Sequence, residues 1–134
     1  MNLIRVFILS FLVTAATECA LAYLLGLRSR RDQFLVLLVN LLTNPAVVYL
    51  SLLSAWFLAP DGRFAVLVLL EGAAIAVETF IYTKKLDWGE LAHGTAAGAL
   101  ARGRPFAAAL VLSLLLNAAS YGMGELIEIL IRQI

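Results

Sequence analysis

Two glutamates and two asparagines are the side chains of greatest chemical interest in this apolar sequence. Glu18 is followed by Asn40, and Glu78 is followed by Asn117. Each asparagine precedes a hydroxyl residue by three positions. Carboxyl, amide and hydroxyl oxygens are the groups that hold protons and hard cations in proteins. The pattern predicts a proton or cation site built from Glu18, Glu78, Asn40, Asn117, Thr43 and Ser120.

A third glutamate, Glu71, joins this candidate site because it lies two helical turns before Glu78 and so shares its face. Glu125 and Glu128 lie close to the end of the last apolar run, where we expect water to solvate them. Burying two like charges together is costly. We therefore expect at least one of Glu18 and Glu78 to be neutral, or the pair to share a proton or a cation.

Metal and thiol chemistry have little support in the sequence. Glu90 and the single histidine, His93, have the spacing of one half of a carboxylate-bridged di-metal motif. The motif occurs once, so we favour a solvated turn and assign no metal. The only cysteine, Cys19, lies among apolar residues and is interpreted as a small buried hydrophobic residue.

The segment around Pro45 is the strongest helix-breaking signal in the sequence. Pro45 has no N–H, so the carbonyl of Leu41 loses its helical partner. The preceding residue, Asn44, is biased away from helical geometry. Asn40 and Thr43 stand on the same turn. We expect a kink at Asn44 and Pro45 that directs a free carbonyl toward the candidate site.

The composition places the chain among membrane proteins. Hydrophobic residues make up 63% of it, charged residues 14%, and the mean hydropathy is +0.96. Soluble domains have about 45–50% apolar and about 25% charged residues. The lipid bilayer is therefore the expected surroundings. With a formal net charge of +1, nothing favours nucleic-acid binding.

Four apolar runs are long enough to cross a bilayer as helices, which takes about 20 residues each. Strict alternation is absent, and four spans cannot close a β-barrel. A turn is expected at Pro60-Asp61-Gly62, between the second and third runs. The sequence predicts an all-α integral membrane protein with a single transmembrane domain over 1–134 and helices over 3–25, 34–58, 64–83 and 106–131.

The loops differ in charge, which predicts an orientation. Loops 26–33 and 84–104 contain seven basic residues, and the other side of the membrane has three. By the positive-inside rule these two loops are expected in the cytoplasm and both termini outside, in a multi-pass protein of the plasma or inner membrane. A short interfacial helix anchored by Trp88 is expected in the longer loop.

The recurring residues suggest that the chain is a duplicated helical hairpin. Glu18 and Glu78 are each followed by a tyrosine, at Tyr23 and Tyr82. The two halves, 1–59 and 60–134, would be related by a pseudo-two-fold axis along the membrane normal. Polar residues follow one stripe of each helix, and we expect these stripes to face inward. Small residues on the same side are expected to allow close helix packing: Ala15, Ala22, Gly72, Ala76, Ala118 and Gly122.

Two functions of different classes fit these features. The first is a small membrane transporter or channel for a cation or proton, with Glu18 and Glu78 carrying the charge. The second is a non-catalytic accessory or assembly subunit of a larger membrane complex, whose polar faces dock on a partner. Four short spans make a thin pathway, so a homo-oligomer is also expected. No enzyme activity or cofactor is expected, because the spans contain neither a histidine pair nor a serine–histidine pair.

Overall fold

The computed structural model of the protein describes residues 3–91 and 103–132. Every regular element within these residues is a helix. Four helices are long and apolar enough to span a membrane. They are α1 (Leu3–Leu24), α2 (Arg30–Phe57), α3 (Pro60–Lys85) and α5 (Pro105–Arg132), and the short helix α4 (Trp88–Leu91) follows α3.

The four long helices form a closed ring. Both α1 and α3 pack against α2 and α5, which places α1 and α3 at opposite corners. Successive long helices run antiparallel, so the bundle has two distinct ends. The loop end has the α1–α2 loop and α4. The turn end has the α2–α3 turn, the beginning of α1 and the end of α5.

Local sequence sets the connection at the loop end. The chain leaves α1 through Gly26, whose φ of 110° few other residues adopt. The N–H of Leu27 donates to the Ala22 carbonyl at 2.9 Å, and that of Gly26 donates to the Tyr23 carbonyl at 3.1 Å. This pair of bonds is a Schellman motif. Ser29 then caps α2 by accepting a first-turn N–H at 3.1 Å.

Two helix starts differ from the expected ones. Capping by Ser29 lets α2 begin at Arg30, ahead of the apolar run. The expectation of a turn at Pro60-Asp61-Gly62 is wrong, because Pro60 is the first residue of α3. Proline is tolerated there because a first-turn N–H has no helical partner, and Asp61 complements the helix dipole. The turn is thus reduced to Leu58 and Ala59.

The apolar core lies at the loop end of the bundle. All four long helices contribute to it, and Trp88 packs against it from α4. Its largest fully buried side chain is Tyr82. The core closes the loop end with these residues: Ala22, Leu27, Val36, Val39, Tyr82, Leu86, Ala109, Leu112 and Leu116.

The outer surface exposes many large apolar side chains, as expected for helices that face lipid. Among them, the aromatic residues Trp56, Phe57 and Phe64 surround the turn end. The expectation for the small residues holds only in part. Ala15 and Ala22 are buried, whereas the other four are exposed, so these four do not mediate close helix packing within one chain: Gly72, Ala76, Ala118 and Gly122.

Candidate functional site: an acidic cavity open toward the turn end

A cavity of about 430 Å³ lies between the four long helices, all of which line it. Glu18 and Glu78 mark its inner boundary, and the apolar core lies between them and the loop end. About 9 Å of helix rise separates Glu18 from the loop end of α1. From this floor the cavity extends toward the turn end, where its lining includes Ser10, Ser51, Leu67 and Glu125.

The Glu78 carboxyl is held by donors from two neighbouring helices. Its Oε2 accepts hydrogen bonds from Ser113 Oγ at 2.6 Å and Asn117 Nδ2 at 2.5 Å, both on α5. Its Oε1 accepts one from Thr43 Oγ1 on α2 at 3.2 Å. Glu78 is 1% exposed. Both of its carboxyl oxygens are therefore satisfied within the protein.

The Glu18 carboxyl is equally buried but has fewer partners. Its Oε1 accepts a hydrogen bond from Ser120 Oγ at 3.1 Å. The side chain of Asn40 also interacts with this carboxyl. Its Oε2 is buried and has no hydrogen-bond partner among the described residues. Glu18 thus has an unsatisfied buried oxygen, and its side chain lines the floor of the cavity.

Three further lining side chains on α2 also have a buried oxygen without a hydrogen-bond partner in the described chain. They are the Oδ1 atoms of Asn40 and Asn44 and the Oγ of Ser51, none of which has a partner within the described part of the chain. Helical spacing places these residues on one face of α2. A buried polar atom left without a hydrogen bond costs about 1–3 kcal/mol. Water or a ligand that donates hydrogen bonds would satisfy the carboxyl and amide oxygens, whereas the Ser51 hydroxyl can donate or accept.

The cavity is strongly acidic. Glu18, Glu71, Glu78 and Glu125 line it, and no lysine, arginine or histidine does so among the described residues. Glu71 and Glu78 are close enough to Glu18 for their charges to repel its carboxylate. A cavity lined by one sign of charge and low-dielectric walls concentrates counter-ions. This arrangement attracts cations and repels anions.

The structure brings all the residues predicted for the site to this one cavity. Asn44 lines it as well, and α2 continues through Pro45. The predicted kink at Asn44 and Pro45 stays a prediction. The residues placed together are Glu18, Asn40, Thr43, Glu71, Glu78, Asn117 and Ser120.

The most important residue missing from the prediction is Ser113, which makes one of the two shortest bonds to Glu78. It stands one helical turn before Asn117, and this spacing places it on the polar stripe that the sequence predicts to face inward. Glu125 is exposed, as expected of a solvated residue, and lines the cavity toward the turn end.

No metal site is indicated in residues 3–91 and 103–132, where no three His, Cys, Asp or Glu side chains form a group that could hold a metal ion. His93 lies outside the described residues, as do the side chains of Glu90 and Glu128. No protein family, curated protein or solved structure matches this sequence.

Proposed function

We propose that the protein is a small membrane transporter or channel for a cation or a proton. The observation that carries this proposal is the acidic cavity inside a bundle whose helices can span a membrane. Charged residues at membrane depth are costly, and they mark ion and proton pathways in membrane proteins. Four lining carboxyls without a lining basic residue in the described chain favour a positively charged substrate.

In the proposed mechanism, the cation enters from the turn end and descends to Glu18 and Glu78. Amide and hydroxyl groups of Asn40, Thr43, Asn117 and Ser120 complete its surroundings. The apolar core then blocks further passage at the loop end. Transport therefore requires a rearrangement of the core that opens the loop end, as in alternating access.

We further infer that two hairpins, 1–59 and 60–134, are related by a pseudo-two-fold axis. The hydrogen bonds support this inference. Glu18 of the first half accepts from Ser120 of the second, and Glu78 of the second half accepts from Thr43 of the first. Exchanging α1 with α3 and α2 with α5 converts one pair into the other.

Two glycines add independent support for the repeat. Gly26 and Gly103 both have positive φ values, 110° and 133°, at the approach to α2 and α5. The interval between them equals the interval between Asn40 and Asn117. The tyrosines do not correspond, because Tyr23 is 51% exposed whereas Tyr82 is fully buried. The repeat is thus supported by the site and the loops rather than by the tyrosines.

The proposed orientation places the loop end in the cytoplasm of a cell with this protein in its plasma or inner membrane. Basic residues at the loop end outnumber those at the turn end, as the positive-inside rule requires. The cavity then opens toward the outside. A cation would approach Glu18 from the extracytoplasmic solution.

The alternative, an accessory or assembly subunit, requires polar helix faces that a partner can contact. The polar faces of all four long helices instead turn inward to line the cavity of this chain. This arrangement favours transport. A homo-oligomer is compatible with both functions, since the outer surface is apolar on all four helices.

Flux through the purified protein tests the proposal. The protein is reconstituted alone in liposomes, and uptake of protons, Na⁺, K⁺ and small amines is measured. Glu18→Gln and Glu78→Gln should each lower flux at least about tenfold, because each removes a charge-assisted interaction of about 1.5–3 kcal/mol. Asp61→Asn makes the same chemical change at an exposed position in the first turn of α3 and should leave flux unchanged.

Absence of flux for every one of these cations in the unmodified protein would reject the proposal. A partner that co-purifies in a fixed ratio, together with inactive liposomes, would support the accessory role instead. The mass of the purified protein in lipid nanodiscs, measured on the same preparation, decides between a single chain and a homo-oligomer.

A further inference from the structure

We infer that the cavity binds a small organic cation with several N–H donors, of the protonated amine or guanidine class, through Glu18, Asn40 and Asn44. Glu78 has a different part in this site: it is a hydrogen-bond acceptor that joins α3 to α2 and α5. The inference rests on the proposed function of the cavity and assigns its ligand class.

The first step is the unequal state of the two carboxyls. Glu78 accepts from three side chains, and both of its oxygens are occupied. Glu18 accepts a hydrogen bond from Ser120 and interacts with Asn40, but its Oε2 has no partner in the described chain although the residue is 1% exposed. A ligand gains most from an acceptor that the protein leaves open. Glu18 is therefore the carboxyl that contacts the ligand.

The second step is the chemistry of the open groups. When Glu18 is ionised, its carboxylate oxygens and the amide oxygens of Asn40 and Asn44 can only accept hydrogen bonds. The amide of Asn117 already donates to Glu78, and the hydroxyl of Ser120 donates to Glu18. A ligand with N–H groups satisfies the open acceptors. A quaternary ammonium ion has no N–H and would leave them unsatisfied.

The third step is size. The cavity volume of about 430 Å³ falls within the range of about 300–1,000 Å³ that is typical of small-molecule sites. The open oxygens on α2 extend from Asn40 to Ser51, over about 16 Å of helix rise. A bare metal ion contacts oxygens at about 2.3–2.6 Å and cannot reach along this row. An amine or guanidine with a short carbon chain can.

Carboxyl groups, like the open oxygens, are spread along the length of the cavity. Glu71 lies about 10 Å of helix rise above Glu78, toward the turn end, and is half-buried in the lining. Two levels of negative charge therefore face the ligand. A linear dication can place one charge at Glu18 and the other near Glu71.

Binding to the full-length protein in nanodiscs tests the inference by calorimetry. The probes are 1,4-diaminobutane and butylguanidinium, with tetraethylammonium and K⁺ as comparison cations. We expect the two N–H probes to bind and the two comparison cations not to displace them. Glu18→Gln should weaken binding of 1,4-diaminobutane at least tenfold, and Asn44→Ala at least threefold. Asp61→Asn is the matched control and should bind like the unmodified protein.

The separate part of Glu78 has its own readout. Glu78→Gln should weaken binding less than Glu18→Gln, because it leaves the open Oε2 of Glu18 in place. Glu78→Leu should lower the denaturant midpoint of unfolding more than Glu18→Leu, because it removes three side-chain hydrogen bonds that join α3 to α2 and α5. Helical content before titration verifies that each variant is folded.

The possible failures are distinguishable. Flux or binding of K⁺ or Na⁺ that depends on Glu18, without binding of either N–H probe, would overturn the ligand class and leave the proposed function standing. Binding of tetraethylammonium as strong as that of 1,4-diaminobutane would also overturn the class. Equal losses of affinity in Glu18→Gln and Glu78→Gln would overturn the division between the carboxyls. Absence of both flux and binding for all cations would overturn the proposed function as well.

Discussion

At the loop end, the long helices pack through alanine, valine and leucine side chains, and Tyr82 fills the space between them. At the turn end, the same helices separate around a cavity lined by carboxyls, amides and hydroxyls. The change occurs within two helical turns. Leu116 is part of the core, and the next residue on α5, Asn117, lines the cavity.

The comparison shows how a small bundle can tolerate buried charge. The cavity half contains carboxyls that repel one another when ionised, which favours separation of the helices. The core half supplies close packing on the same helices. We infer that the loop end stabilises a turn end which would not be stable alone.

The largest expected effect follows from weakening the core. Leu116 is fully buried, and Leu116→Ala should lower the free energy of unfolding by about 2–5 kcal/mol because it leaves a cavity in a packed region. Reversible unfolding in mixed detergent micelles measures this change. Leu115 lies beside it on the exposed side of α5, and Leu115→Ala should cost less than about 1 kcal/mol. Equal decreases in the free energy of unfolding for the two variants would contradict a packed core on the inner side of α5.

A smaller effect is expected at two glycines of the second half. Gly103 precedes α5 with φ of 133° and has open space around it, so Gly103→Ala should cost about 1–3 kcal/mol through backbone strain alone. Gly122 lies inside α5 and also has open space, so Gly122→Ala should stabilise the helix by up to about 1 kcal/mol. Thermal unfolding of both variants measures the difference. A destabilised Gly122→Ala would indicate a close contact at the turn end.

The smallest effect on stability is expected from single cysteines, which test access to the two ends. In a Cys19→Ala background, Ser51→Cys should react with a membrane-impermeant cationic thiol reagent added outside intact cells, because Ser51 lines the cavity. Ala108→Cys at the buried loop end should not react. Labelling followed by mass spectrometry measures both. Reaction of Ser51→Cys only in inverted vesicles would reverse the proposed orientation.

Much of the architecture could be predicted from sequence because lipid imposes strong constraints. Runs of about 20 apolar residues have few alternatives to a helix, and four such helices are present. The convergence of Glu18 and Glu78 follows from their similar depth and from the cost of facing lipid. The start of α3 at Pro60 was harder to predict, because proline marks a turn and a first helical position equally well.

The division between the two carboxyls could not be predicted. It depends on Ser113, which donates to Glu78, whereas the position that the proposed repeat aligns with Ser113 is Val36. Helical spacing places Ser113 on the correct face, but whether it reaches Glu78 depends on the rotation of α5 against α3. That rotation is set by packing among the helices, which no single helix encodes.

The position of the core has an electrical consequence. In the proposed orientation, water in the cavity would carry the potential of the outer solution down to Glu18, so the membrane voltage would fall mainly across the thin apolar layer at the loop end. One elementary charge crossing 100 mV gains or loses about 2.3 kcal/mol. A cation that reaches Glu18 has therefore crossed most of the bundle but little of the voltage. If the cation then moved a short distance further, past Tyr82, it would cross most of the membrane voltage in that step.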